Sequence, residues 1–283
     1  MTLAAATARA RSPGRSSSDW RRAPGSERSF RVEFMALSLP EALDLSGQRI
    51  VVTGAASGIG RATASALASL GADLLLADVS SLDATCADLT AHNVVPETFQ
   101  GDLLAPGAIA PLFASGPVRA VVHCAGIVPA QIPWDQDPNW EARFARTMAV
   151  NVRLPIELGH ASIAHMVGNG GGRLILVGSL AGWHGGTLTT TPPDYVTSKG
   201  GLHALVRLLA RKAASGGVLV NGVAPGPVVT PFSANIDFPR ENFPLGRMAT
   251  AEEIAWPIAF LCTKGASNFC GEIVNVNGGV FFA

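Results

Sequence analysis

Tyr195 is the only tyrosine in 283 residues, and Lys199, one of three lysines, follows it by four positions. In the segment PPDYVTSKGG, Pro192, Pro193 and Asp194 mark a helix start, where proline is tolerated and an acid complements the dipole. Positions i and i+4 share one face of a helix. A free phenol has a pKa of about 10, and an adjacent ammonium favours its ionised form. The spacing therefore describes a general acid–base pair whose tyrosine proton can move. A packed aromatic beside a solvated lysine is the plain alternative.

A second group of residues has the types needed to hold phosphate. An apolar run leads into TGAASGIG, Thr53 to Gly60, and then into a helical pattern. Glycines at 54, 58 and 60 let the backbone approach a pyrophosphate, and the N-terminus of the following helix offers N–H groups and a positive dipole end. Thr53, Ser57 and Ile59 belong to the same turn. The next apolar run ends at Asp78, whose carboxylate can accept ribose hydroxyls and repels a 2′-phosphate. No arginine or lysine stands in the glycine loop to attract one, so NAD is expected over NADP.

These residues need a scaffold, and the hydrophobic pattern supplies one. Strands are expected at 49–53, 73–78, 94–99, 118–124, 173–179, 217–223 and 272–276, with near-continuous apolar character typical of strands buried on both faces. Helices are expected at about 58–70, 83–92, 106–114, 137–168, 194–215 and 251–263. The alternation implies one doubly wound Rossmann-type α/β domain, with a seven-stranded parallel sheet and helices on both faces. Ligands of such a sheet sit beyond the carboxyl ends of its strands. The candidate residues outside the two long helices follow strands in just this way.

Residues 46–283 resemble the short-chain dehydrogenase/reductase family in its compact branch. TGAASGIG fits the family's T-G-x-x-x-G-x-G loop, Tyr195–Lys199 its Y-x-x-x-K pair, and APGPVVT its P-G-x-x-x-T segment. The resemblance implies hydride exchange between an alcohol or ketone and a nicotinamide. It assigns Asn151, Ser179, Tyr195 and Lys199 to catalysis, with Ser179 donating to the substrate oxygen and Asn151 holding a water that passes the proton on. Lys199 would also bond the nicotinamide ribose. It adds Asp102, Leu103, Ala125, Gly126, Pro225, Gly226, Val228 and Thr230 to the cofactor site. Two departures stand out. His123 and Cys124 replace both asparagines of N-N-A-G, and the interval from Ser179 to Tyr195 is longer than usual.

The segment 228–246 is rich in Phe and Pro and resembles the family's substrate lid. With Trp183 and Phe232, it points to an apolar, alicyclic or aromatic alcohol as substrate. An NADPH-dependent 3-oxoacyl-thioester reductase is the runner-up, because PLGRMATAEEIAWPIAFL also resembles such enzymes. A nucleotide-binding regulator that has lost its chemistry is a third reading.

Composition bounds the rest. Residues 1–34 carry seven arginines and three acids without apolar periodicity, so residues 1–40 are expected to form a basic, unstructured tail and 41–283 the domain. Met35 is an alternative start. Four cysteines without a C-x-x-C pair read as buried free thiols, and the histidines show no metal spacing. No apolar run approaches the roughly 20 residues of a membrane span. The expectation is a cytoplasmic homotetramer or homodimer acting on a small molecule, without nucleic-acid, membrane or metal partners.

Overall fold

Ser38 opens the first helix, its hydroxyl and its backbone N–H both donating to Glu41 at 2.7 and 2.9 Å. This helix, α1 (Leu39–Leu43), begins inside the segment expected as a tail. The computed structural model describes residues 38–282 apart from 235 and 237. The remainder of the expected tail lies outside the described residues.

Strands and helices then alternate: β1 (Arg49–Thr53), α2 (Gly58–Ser69), β2 (Asp73–Asp78), α3 (Asp83–Leu89), β3 (Glu97–Gln100) and β4 (Ala120–His123). They continue with α4 (Trp140–Met148), α5 (Leu154–Gly168), β5 (Gly172–Val177), α6 (Ala181–His184), α7 (Pro193–Ala213), β6 (Val218–Pro225), α8 (Ala251–Leu261) and β7 (Ile273–Val276). All seven strands are parallel, in the order β3-β2-β1-β4-β5-β6-β7. The order reverses between β1 and β4, which opens a crevice at their carboxyl ends.

The apolar runs are continuous because both sheet faces are covered. Ile50, Val52, Leu74 and Leu76 pack in one cluster with Leu67 of α2 and Ile254 of α8. Val51, Leu75 and Val121 pack in the other, with Leu158 of α5 and Val206 of α7. At about 25 cal/mol per Å² of apolar surface, these two layers supply the main force holding the loops in place.

Three expected elements differ. The strand expected at 94–99 pairs only from Glu97, at a largely exposed edge of the sheet. The helix expected at 106–114 is a single tight turn, Ala110–Phe113, since Pro106, Gly107 and Pro111 interrupt helical bonding. The long helix expected at 137–168 is α4 and α5 joined by one wide turn, Ala149–Arg153. Pro155 has no N–H for the carbonyl of Asn151, which forces the ladder to widen there. Among the described residues, no helix is long and apolar enough to cross a membrane. Only Cys262 is buried; Cys86 and Cys124 are half-buried and Cys270 is exposed, which corrects the expectation that every thiol is buried.

Candidate active site

The loops leaving the strands enclose one cleft of about 360 Å³. Its first half is made by turns after β1, β2 and β3, and includes Gly54, Ser57, Gly58, Ile59, Gly60, Asp78, Asp102 and Leu103. Its second half follows β4, β5 and β6, and includes Ala125, Gly126, Ser179, Tyr195, Lys199, Pro225, Gly226, Val228, Thr230 and Phe232. Three expected residues are absent from the wall: Thr53, Asn151 and Trp183.

The first half is shaped by what glycine lacks. Gly54 has φ +67°, and a Cβ there would lie 2.6 Å from the backbone nitrogen of Ala125. A Cβ on Gly60 would lie 2.0 Å from the Gly54 carbonyl oxygen. The loop therefore folds tightly onto the start of α2, whose cap residue Ser57 makes no side-chain cap bond. First-turn N–H groups are left for a ligand, and this cradle fits a dinucleotide's pyrophosphate. Asp78 accepts from the backbone N–H groups of Ala56 and Ser80, each at 2.9 Å, so its carboxylate is fixed at the cleft edge. Asp102 accepts from the Leu104 N–H at 2.9 Å and meets Arg146 at 3.4 Å. Arg146 also lines the cleft; no motif marks it in the sequence.

Thr53 lies beneath this loop. It stands opposite His123 in the β1–β4 register, and its hydroxyl is 2.8 Å from the imidazole Nδ1. Burial, aided by the charge of Lys199, lowers the His123 pKa to about 3, so the ring is neutral. Burial likewise raises the Cys124 thiol to about 12. His123 is thus a neutral buried group, whereas Cys124 is half-buried and presents an uncharged thiol to the cleft.

In the second half, the α6 turn and a loop at 185–192 span the long Ser179–Tyr195 interval. Gly186 folds the loop back, with φ +108° and no room for a Cβ beside Thr191. Leu188, Thr187 and Thr191 thereby join the cleft wall, although their sequence carries no motif. Ser179 and Tyr195 meet: burial raises the phenol's pKa, and a hydrogen bond with Ser179 opposes the rise. Lys199 donates to the Val177 carbonyl at 3.2 Å, with its Nζ 5.8 Å from the centre of the tyrosine ring. Burial lowers the Lys199 pKa to about 8. Burial is the larger influence on the phenol and favours its protonated form.

Asn151 lies behind the cleft wall, on the wide turn between α4 and α5. Its amide accepts from the Ile127 N–H and donates to the Ile127 carbonyl, each at 2.9 Å, and donates to Ser198 at 3.2 Å. Ser198 in turn donates to the Tyr195 carbonyl at 2.7 Å. The side chain clamps the loop after β4 to α7. Trp183 points away from the cleft. Its ring packs 4.8 Å from His203 and 6.5 Å from Phe281, with the Arg207 guanidinium 5.0 Å from its centre. Position after Ser179 put it on the expected wall, but the short α6 helix turns it toward α7.

The family described as Enoyl-(Acyl carrier protein) reductase matches residues 54–281. Galactitol 2-dehydrogenase (L-tagatose-forming) of Cereibacter sphaeroides is 34% identical over 250 residues, covering 83% of this chain and 95% of that protein. A short-chain type dehydrogenase/reductase from Mycobacterium marinum superposes with a TM-score of 0.81 at 27% identity, over 87% of this chain and 100% of that one. A 3-oxoacyl (acyl-carrier-protein) reductase from Agrobacterium tumefaciens C58, with NADP bound, gives a TM-score of 0.79 at 27% identity, over 88% and 100% of the two chains.

Proposed function

The chain belongs to the short-chain dehydrogenase/reductase family, and we propose that it transfers a hydride between NAD(H) and an uncharged, mainly apolar secondary alcohol or its ketone. The observation that carries this reading is the convergence of Ser179, Tyr195 and Lys199 on one cleft wall, opposite a glycine cradle. Bound there, the dinucleotide supplies or takes up the hydride. The chain's own groups do the rest. Gly54, Gly58 and Gly60 admit the pyrophosphate, and Asp78 holds ribose hydroxyls. Lys199, freed from the Val177 carbonyl, bonds the second ribose. Ser179 and Tyr195 donate to the substrate oxygen, where negative charge develops in reduction. A phenol kept protonated by burial is ready to deliver that proton, and its phenolate takes one back in oxidation.

NAD preference rests on Asp78: a 2′-phosphate at its carboxylate would meet like charge with no compensating cation in the glycine loop. A similar reductase binds NADP, so the preference for NAD here stands on Asp78 alone. Substrate preference rests on the second half of the cleft, where Val128, Leu188, Phe232, Ile236 and Phe238 predominate beside Gln131, Thr187 and Thr191. Of the two cations that line the cleft among the described residues, Arg146 pairs with Asp102 and Lys199 is committed to cofactor and tyrosine. A carboxylate or phosphate on the substrate would remain buried without a partner.

A 3-oxoacyl-thioester reductase using NADPH is the second reading, favoured by similarity to a reductase of that description. Steady-state kinetics separates the two, with NAD and NADP for 1-phenylethanol and cyclohexanol, and with NADH and NADPH for a 3-oxoacyl thioester. A higher kcat/KM for NADPH with the thioester would establish the second. We also assign the protein to the cytoplasm as a homotetramer or homodimer, with exposed Phe144, Ile156 and Leu208 on α4, α5 and α7 as the apolar contacts. The basic segment 1–40 is given no part in the chemistry, so a chain starting at Met35 keeps full activity.

A further inference from the structure

Asp194 stands immediately before Tyr195 in the first turn of α7, and its side chain is 0% exposed. Neither carboxylate oxygen has a hydrogen-bond partner. Removing such a group from water is costly unless a countercharge is near. The nearby cation is Arg143 of α4, whose Nε is 4.0 Å from Asp194 Oδ2. Arg143 is 11% exposed and lies over the ring of Trp140 at 5.1 Å. Its Nη1 pairs with Asp137 at 2.7 Å and donates to the carbonyls of Ala130 and Ile132, each at 3.2 Å. Its Nε and Nη2 are buried without hydrogen-bond partners, on the group that approaches Asp194.

One guanidinium therefore joins two segments that sequence separates by more than fifty positions. Gln131, between the two bonded carbonyls, is on the cleft wall and accepts from the Thr190 hydroxyl at 3.1 Å. Asp194 is bonded covalently to the residue that carries the phenol. We propose that Arg143 is a positioning residue that sets the distance between the Gln131 wall and Tyr195, with Asp194 as its second anion, so that it governs how the substrate fits. This rests on the reading that Tyr195 faces the substrate in the same cleft. Among the described residues the polar contacts of Arg143 run to residues 130–137 and Asp194 and none to the glycine cradle, so cofactor binding is expected to be independent of it.

The test compares Arg143→Met, Arg143→Lys and the double variant Arg143→Met/Asp194→Asn with the intact chain. Activity is read with 1-phenylethanol and NAD, and NADH binding by fluorescence titration. Arg143→Met leaves two buried carboxylates without a cation and lowers Tm; the double variant removes one of them and regains part of the loss. In the double variant the KM for 1-phenylethanol is expected to rise about tenfold, with the NADH Kd changed by less than about twofold. Arg143→Lys, which keeps the charge without the planar fork, is expected to fall between. Amide hydrogen exchange of residues 129–138 is expected to quicken about tenfold in the double variant without change at 53–60. A folded double variant with unaltered KM and unaltered exchange at 129–138 would overturn the proposal, as would a parallel loss of NADH affinity. If the intact chain fails to oxidise any alcohol offered, the reading of function falls, while hydrogen exchange still decides this one.

Discussion

The two halves of the cleft are built from different materials. The half after β1, β2 and β3 is mostly backbone: glycines without room for a methyl group, free helix N–H groups, and one carboxylate fixed by two N–H donors. The half after β4, β5 and β6 is made of side chains brought from distant stretches and held by buried polar contacts. Asn151 clamps Ile127, Arg143 reaches Asp137 and Asp194, and Ser198 links Asn151 to Tyr195. A ligand common to many proteins can be held by a fixed backbone shape. A particular substrate needs an adjustable wall, and side-chain contacts are what adjust it.

The difference is open to tests in order of expected size. The largest effect falls on the backbone-built half. Gly60→Ala places a methyl 2.0 Å from the Gly54 carbonyl oxygen, and the loop must open. NADH affinity is expected to fall about a hundredfold or more, as read by fluorescence quenching. A Kd near that of the unaltered chain would mean that the cradle is not the pyrophosphate site.

Asp78→Asn keeps the acceptor oxygen but removes the charge that opposes a 2′-phosphate. The ratio of kcat/KM with NAD to that with NADP is expected to drop about tenfold, about 1.4 kcal/mol. An unchanged ratio would detach cofactor choice from this carboxylate.

Within the side-chain-built half, Phe232 and Trp183 form a contrasting pair. Phe232→Ala is expected to raise the KM for 1-phenylethanol about fivefold, since it removes apolar cleft surface. Trp183→Phe leaves that KM unaltered and lowers Tm instead, because the ring packs on His203 and Phe281. Reversed outcomes would return Trp183 to the substrate wall.

A separate effect, on stability rather than on ligand binding, concerns the floor between the halves. His123 has a folded pKa of about 3 against an ordinary value of 6.5. The unfolded chain therefore binds a proton that the folded one refuses, and stability declines as pH falls from about 6.5 toward 3. His123→Asn is expected to flatten part of that decline in thermal melts at pH 4 and 7. Equal slopes for both proteins would show that the ring does not titrate on unfolding.

The same division explains what the sequence made legible. The parallel sheet followed from apolar runs, and the cradle from glycines between a strand and a helix, since both depend on local pattern. Asp78 followed from its place at a strand end. The remainder depends on packing across the chain. Trp183 lies four residues past Ser179, yet the turn of α6 directs it to α7. Leu188 reaches the wall only because Gly185 and Gly186 reverse the loop. A pair of residues spaced i, i+4 implies a shared face, but it does not reveal how deeply Tyr195 is buried. Pro155 was visible, and with it the break after Asn151, though the helical periodicity around it masked the signal.

Rapid mixing of Tyr195→Phe with 1-phenylethanol and NAD tests the central claim most directly, read as NADH formation in a single turnover with NADH affinity measured on the same protein. The account predicts hydride transfer slowed by about a hundredfold to ten-thousandfold with the dinucleotide still bound. Transfer at the rate of the unaltered chain would contradict it, because the proton would then leave the alcohol by another route.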